Sequence, residues 1–167
     1  MKFTFVPEYR FDTFDMASAE FLSKIGIKGI ILDIDNTLEP YEHANPEEHV
    51  IAWLNSLKEC GIKAAIVSNN GKERVELFNK EIGLPAYYKA KKPFKKNLLR
   101  AMSDMETKPQ ETILMGDQVF TDVWAAHNAG IKAILVPPIK DKRDVFTRFK
   151  RLLERPIIKK YEKRKNK

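Results

Sequence analysis

Four runs of β-branched and other apolar residues punctuate the chain: KGIILDI at 28–34, IKAAIVS at 62–68, ETILMG at 111–116 and IKAILVP at 131–137. Each has the length of a strand and is apolar almost without interruption, the pattern of strands covered on both faces. Between them the period changes. Pro46, Glu47 and Glu48 open a helix that Gly61 ends, and 71–82 carries Val75, Leu77, Phe78 and Ile82 at helical spacing. The segment after Pro93 carries Phe94, Leu98, Leu99 and Met102, and a helix over 119–129 is stopped by Gly130. A weaker run at 85–89 supplies a fifth strand. Strands alternating with helices predict an α/β, three-layer, Rossmann-like domain over 26–140, built on a mainly parallel five-stranded sheet.

Two further segments flank that unit. The first 25 residues hold FTFVPEYRF and FDTFDMASAEFL, aromatic enough to form a hydrophobic cover packed on the body. Residues 144–154 present Val145, Phe146, Phe149, Leu152 and Leu153 on one helical face amid basic residues, so 141–156 reads as a basic amphipathic helix. The basic end, 157–167, is expected to be solvated and mobile.

At 167 residues and 43% apolar, the chain can bury a single core without disulfides or a structural metal. That excludes intrinsic disorder. No apolar run reaches the ~18 residues of a membrane span, and the start lacks a secretory pattern. The single cysteine, Cys60, reads as a buried filler, and the chain reads as cytoplasmic. The net charge of +7 is concentrated: from Ile139 onward 13 Lys or Arg face 4 Asp or Glu, while the preceding 138 residues carry 17 basic and 19 acidic side chains. The body therefore offers no general nucleic-acid surface, and the basic end fits peripheral association with an anionic membrane.

Chemistry concentrates at strand ends. DIDNT places Asp33, Asp35, Asn36 and Thr37 directly after GIIL, where ligands bind in a parallel α/β sheet. Paired carboxylates there need a cation, and Mg²⁺ suits carboxylates plus phosphate oxygens. Gly116 and Asp117, with Asp122 beyond, end the fourth apolar run in GDQVFTD. Ser68 and Asn69 in VSNN, and Lys92 in KAKKP, suit phosphoryl oxygens. Lys92 is favoured over Lys89, Lys91 and Lys95 because Pro93 biases it toward extended backbone and can open the next helix.

DIDNT, VSNN, KKP and GDQVFTD, in that order, resemble the four signature motifs of the haloacid dehalogenase superfamily of phosphatases. Over nearly the whole chain the pattern is similar to subfamily IIIA, YqeG type, whose nearest functional relatives act on phosphatidylglycerophosphate. The resemblance implies a phosphomonoester hydrolase with Asp33 as nucleophile, Asp35 as general acid and then base, and Ser68 and Lys92 on the transferring oxygens. It implies Mg²⁺ held by Asp33, the Asp35 carbonyl and Asp117, with Asp122 in a supporting role. Asn36, Thr37 and Asn69 are expected to contact substrate. Only 32 residues separate Asp35 from Ser68, and 23 separate Ser68 from Lys92, too few for a large cap domain beside the predicted elements. Alternative readings are a phosphatase for a soluble sugar or nucleotide phosphate, a phosphorylation-dependent signalling module, and an RNA or ribosome contact through the basic end.

Overall fold

The computed structural model describes residues 4–140 and 145–165, with side chains described for 4–140 and 152–163. The apolar runs form a parallel sheet of β1 (Tyr9–Arg10), β2 (Gly29–Leu32), β3 (Lys63–Val67), β4 (Ala86–Tyr87), β5 (Thr112–Gly116) and β6 (Lys132–Leu135). Their order is β1-β6-β5-β2-β3-β4, and every paired neighbour is parallel. From β2 the chain builds outward through β3 and β4, then returns to β2's other side through β5 and β6. The C-terminal end of β2 is thus the point where strand order reverses, where open α/β sheets bind ligands.

The sheet has six strands, not five. The additional strand, β1, is two residues long and carries Arg10, so it leaves no apolar signature. It is located by pairing instead: Tyr9 lies opposite Ile134 and Arg10 opposite Leu135, with Glu8 N–H donating to Ala133 O at 3.1 Å.

Alternation along the strands divides the core. Ile30, Leu32, Ile66, Ile113, Met115 and Ile134 enter one apolar cluster with α1 (Ala19–Lys24), α2 (Glu48–Glu59) and α3 (Lys72–Asn79). Ile31, Ala65, Val67, Leu114, Ala133 and Leu135 enter the other, against α4 (Lys96–Asp104) and α5 (Trp124–Asn128). The N-terminal aromatics join the first cluster, where Phe14 meets the Trp53 ring edge-on at 5.1 Å and Trp53 Nε1 donates to Ala17 O at 3.1 Å.

Three local expectations change. Helix α4 begins at Lys96, so Pro93 does not open it and Phe94 lies exposed ahead of it. Cys60 caps α2 and is exposed. The last helix, α6 (Val145–Lys165), runs through Pro156 well beyond residue 156. Ile157 and Ile158 pack on the second cluster and Tyr161 Oη accepts from Arg10 N–H at 3.1 Å, continuing the helical spacing of contacts. Expectations for Val145, Phe146 and Phe149 lie outside the described side chains, whereas Leu152 and Leu153 are about half exposed. Among the described residues no helix is long and apolar enough to cross a membrane.

Candidate active site

Beyond β2 the chain keeps its sheet register for one more bond, Asp33 N–H to Met115 O at 3.0 Å, and then turns. Asn36 makes that turn possible by adopting φ 63°, a left-handed conformation that Asn tolerates better than most residues. Asp33 and Asp35 consequently line one cavity of about 370 Å³ together with Ser68, Asn69 and Lys92. A larger cavity of about 520 Å³ lies at the other end of β3, around Ile62 and Leu84, away from these groups.

Lys92 organises the interior of the site. Its Nζ lies 2.8 Å from Asp33 Oδ1 and 2.6 Å from Asp122 Oδ1. Asn69 clamps its backbone, accepting Lys92 N–H at 2.7 Å and donating to Lys92 O. Asn69 therefore positions Lys92 as well as lining the cavity. Ser68 Oγ accepts from Asn70 N–H at 3.1 Å, which orients the hydroxyl at the end of β3.

Asp122 is delivered by a π-helical turn, Val119–Val123, where a regular helix over 119–129 is expected from the sequence. Such single-turn bulges frequently mark functional sites. Gly116 allows the approach: a Cβ there would stand 2.2 Å from Asp122 Cγ. Asp122 Oδ2 accepts from Gln118 N–H and from the Thr121 hydroxyl, both at 3.1 Å, leaving Oδ1 for Lys92.

Asp35 is held from both sides. Arg74 Nε and Nη2 each lie 3.0 Å from Oδ1, and Asn70 Nδ2 donates to Oδ2 at 2.8 Å. Arg74 comes from α3 and Asn70 from the loop before it; sequence motifs alone assign neither to the site. Tyr41, Gln118 and Thr121 also line the cavity, a role their sequence context does not signal.

Asn36 and Thr37 do not line the catalytic cavity. Asn36 is committed to the turn, donating N–H to Glu39 O at 2.7 Å and accepting from Lys140 N–H at 3.3 Å. Thr37 is buried and borders a different cavity, beside Phe14 and Val136. At these two positions the structure shows turn and packing contacts.

Burial, the strongest influence, raises the Asp33 carboxyl to about 6 against the pull of Lys92, with Asp122 adding to the rise. Burial alone would lower the Lys92 ammonium, but Asp122 and Asp33 outweigh it and hold its pKa above the ordinary lysine value. Carboxylate oxygens of Asp33, Asp117 and Asp122 lie within 4.8 Å of one another. With the Lys92 ammonium against two of them, the three carboxylates form an oxygen-rich, net negative nook, a donor set that fits Mg²⁺.

Residues 15–136 match the family described as Haloacid dehalogenase-like hydrolase. The chain is 39% identical over 158 residues to "Probable phosphatase YqeG" of Bacillus subtilis, covering 95% of this chain and 92% of that protein. The fold is similar to the cobalt-bound deoxy-D-mannose-octulosonate 8-phosphate phosphatase of Haemophilus influenzae, with TM-score 0.55, 14% identity and coverage of 68% of this chain and 80% of that one. It is also similar to the 3-deoxy-D-manno-octulosonate 8-phosphate phosphatase of Moraxella catarrhalis bound to magnesium, phosphate and KDO, with TM-score 0.53, 21% identity and coverage of 69% and 71%.

Proposed function

The chain belongs to the haloacid dehalogenase-like hydrolases and is a phosphatase, and on that premise we propose that it cleaves phosphate monoesters through an aspartyl phosphate, with a phosphatidylglycerophosphate-type lipid as substrate. One observation carries the chemistry: Asp33 and Asp35, two residues apart, open on the same cavity while Lys92 Nζ stands 2.8 Å from Asp33.

An Asp33 oxygen attacks phosphorus as the ester P–O bond breaks, and Asp35 gives its proton to the departing alkoxide. In the second step Asp35 takes a proton from water, the water oxygen attacks phosphorus, and the P–O bond to Asp33 breaks to release phosphate. Lys92 and the Ser68 hydroxyl hold the transferring oxygens, while Asp122 keeps the Lys92 ammonium in place. Asp33, Asp117 and the Asp35 carbonyl would hold Mg²⁺, which when bound supplies positive charge between an anionic nucleophile and an anionic ester.

The intervals between the motif residues hold α2, and then α3 with β4, which supports an uncapped site open to a large substrate. Exposed Lys159, Lys160 and Lys163 on α6 support attraction to an anionic surface, each basic residue near such a surface contributing about 1 kcal/mol. A soluble sugar phosphate is the second reading, favoured by the uniformly polar character of the side chains lining the cavity.

The deciding experiment follows Mg²⁺-dependent phosphate release from phosphatidylglycerophosphate in anionic vesicles and from soluble sugar phosphates, in native protein and Asp33→Asn. Lipid hydrolysis abolished by the substitution supports the proposal. Hydrolysis of soluble esters alone replaces the lipid by the second reading.

A further inference from the structure

Between the catalytic turn and α2, two of the four glutamates in 39–49, Glu39 and Glu47, come together with His43 and His49 away from the catalytic cavity. Glu39 is buried, its side chain only 2% exposed, and its Oε1 accepts from Glu47 N–H at 2.7 Å. Its Oε2 lies 3.1 Å from His43 Nδ1, which is also 3.1 Å from Glu47 Oε1. The other Glu47 oxygen, Oε2, lies 3.5 Å from His49 Nδ1. Donor atoms of Glu39, Glu47 and His49 all fall within 4.8 Å of one another.

Two features set this group apart from an ordinary solvated charge cluster. First, the two carboxylates converge although, among the described residues, neither forms an ion pair with a lysine or arginine; their ion-pair partners are imidazoles. Second, His43 Nδ1 faces two carboxylate oxygens at equal distance, and a single ring N–H cannot point squarely at both. A tetrahedral ion with bonds of about 2.0 Å has ligand-to-ligand edges of about 3.3 Å, close to the two 3.1 Å separations of His43 Nδ1 from Glu39 Oε2 and Glu47 Oε1, while His49 approaches the other Glu47 oxygen. His49 is further oriented by the buried Phe14 ring, 5.4 Å away.

We propose that Glu39, His43, Glu47 and His49 form a second metal site, for a borderline divalent ion of the Zn²⁺ class. Mixed imidazole and carboxylate donors select such an ion over Mg²⁺, which the all-oxygen catalytic nook suits. None of the four lines the catalytic cavity, yet the segment they would tie down reaches it. Tyr41 forms part of the cavity wall, Glu39 O accepts from Asn36 N–H, and Ala44 O accepts from Arg74 Nη1 at 2.9 Å while Arg74 grips Asp35. An ion here would act as a clip that orders the loop behind the general acid.

The test uses the full chain without an affinity tag, loaded with Zn²⁺ and dialysed against metal-free buffer containing Mg²⁺. Retained zinc is measured in native protein, His43→Gln/His49→Gln, Glu47→Gln and Asp117→Asn, with circular dichroism confirming each fold. About one equivalent is expected in native protein and Asp117→Asn, with affinity at least tenfold weaker in the histidine pair and in Glu47→Gln. Co²⁺ in place of Zn²⁺ should give the intense visible absorption of tetrahedral coordination, and amide exchange at 40–47 should slow with zinc in native protein only. Zinc lost on dialysis of native protein, zinc retained equally by the histidine pair, or zinc lost only in Asp117→Asn each overturns the proposal. Should the histidine pair fail to fold, Glu47→Gln, at an exposed position, decides it.

Discussion

Arg74 reaches Asp35 with two of its three guanidinium nitrogens, Nε and Nη2, each 3.0 Å from the same carboxylate oxygen. The third nitrogen, Nη1, is anchored on Ala44 O, so the fork has a fixed direction. A lysine cannot reproduce that geometry. Arg74→Lys should lower kcat about 10–100-fold for alkyl phosphates and much less for p-nitrophenyl phosphate, whose leaving group needs little protonation. KM should change little, since Arg74 does not line the cavity. Equal losses on both substrates would reduce Arg74 to a structural role.

Removing the Lys92 ammonium leaves the Asp33 and Asp122 carboxylates buried without the cation that both contact. Breaking a buried pair in this one-sided way costs about 3–5 kcal/mol. Lys92→Met should therefore unfold at markedly lower urea and be inactive, and Asp122→Asn should lose less stability. Urea titrations at neutral pH compare the two directly.

The elevated Asp33 pKa predicts an acidic limb in the rate profile. Attack requires the ionised carboxylate, so activity should fall as pH drops through about 6 at low Mg²⁺. A bound cation favours the ionised form, so raising Mg²⁺ should move the limb to lower pH. A limb that does not respond to Mg²⁺ would separate the metal from Asp33.

His127 ties the N-terminal segment to α5, with Nε2 3.1 Å from Glu8 Oε2 and Nδ1 facing the Thr4 carbonyl. Both contacts require an N–H, so the arrangement favours imidazolium. Burial alone would lower the His127 pKa, but Glu8 outweighs it and raises the value above 6.5. Burial would likewise raise Glu8, yet His127 and the Ala133 N–H bring it below 4.5. The histidine contribution is complete below about 6.5 and is lost as pH rises through the higher folded value. The glutamate contribution is complete above about 4.5 and is lost as pH falls through the lower folded value. Stability should decline as pH rises above about 6.5 in native protein, and Glu8→Gln should flatten that decline in thermal unfolding.

Gly116→Ala tests the close approach at the end of β5. The new methyl would collide with Asp122, and relief requires the π-helical turn to move. Overpacking of this kind costs about 1–3 kcal/mol. Activity should fall further than stability, because Asp122 would no longer hold Lys92; activity measured where the variant remains folded separates the two effects.

Apolar runs make β2, β3, β5 and β6 readable in the sequence, and the spacing of Asp33, Ser68, Lys92 and Asp117 after those runs reveals which chain ends converge. Tyr9–Arg10 is too short and too polar to carry such a signal; only its register against β6 makes it a strand. Asn36 and Thr37 are polar neighbours of the nucleophile, and nothing in their identity says that the chain reverses there and spends them on the turn. Arg74 lies on a helix face 39 positions from Asp35, a pairing that exists only once α3 has packed. The π-helical turn is equally hidden, since 119–129 has an ordinary helical period and the turn is seen only together with the Asp122 contact to Lys92.

Glu154, buried on α6, accepts from Val119 N–H at 2.8 Å, at the first residue of the turn that delivers Asp122. Deleting the C-terminal helix to probe membrane attraction would also remove that acceptor and disturb the turn, so lost activity in such a deletion says nothing about lipid. Charge reversal at Lys159, Lys160 and Lys163, which leaves Glu154 in place, is the clean way to ask what the basic end does.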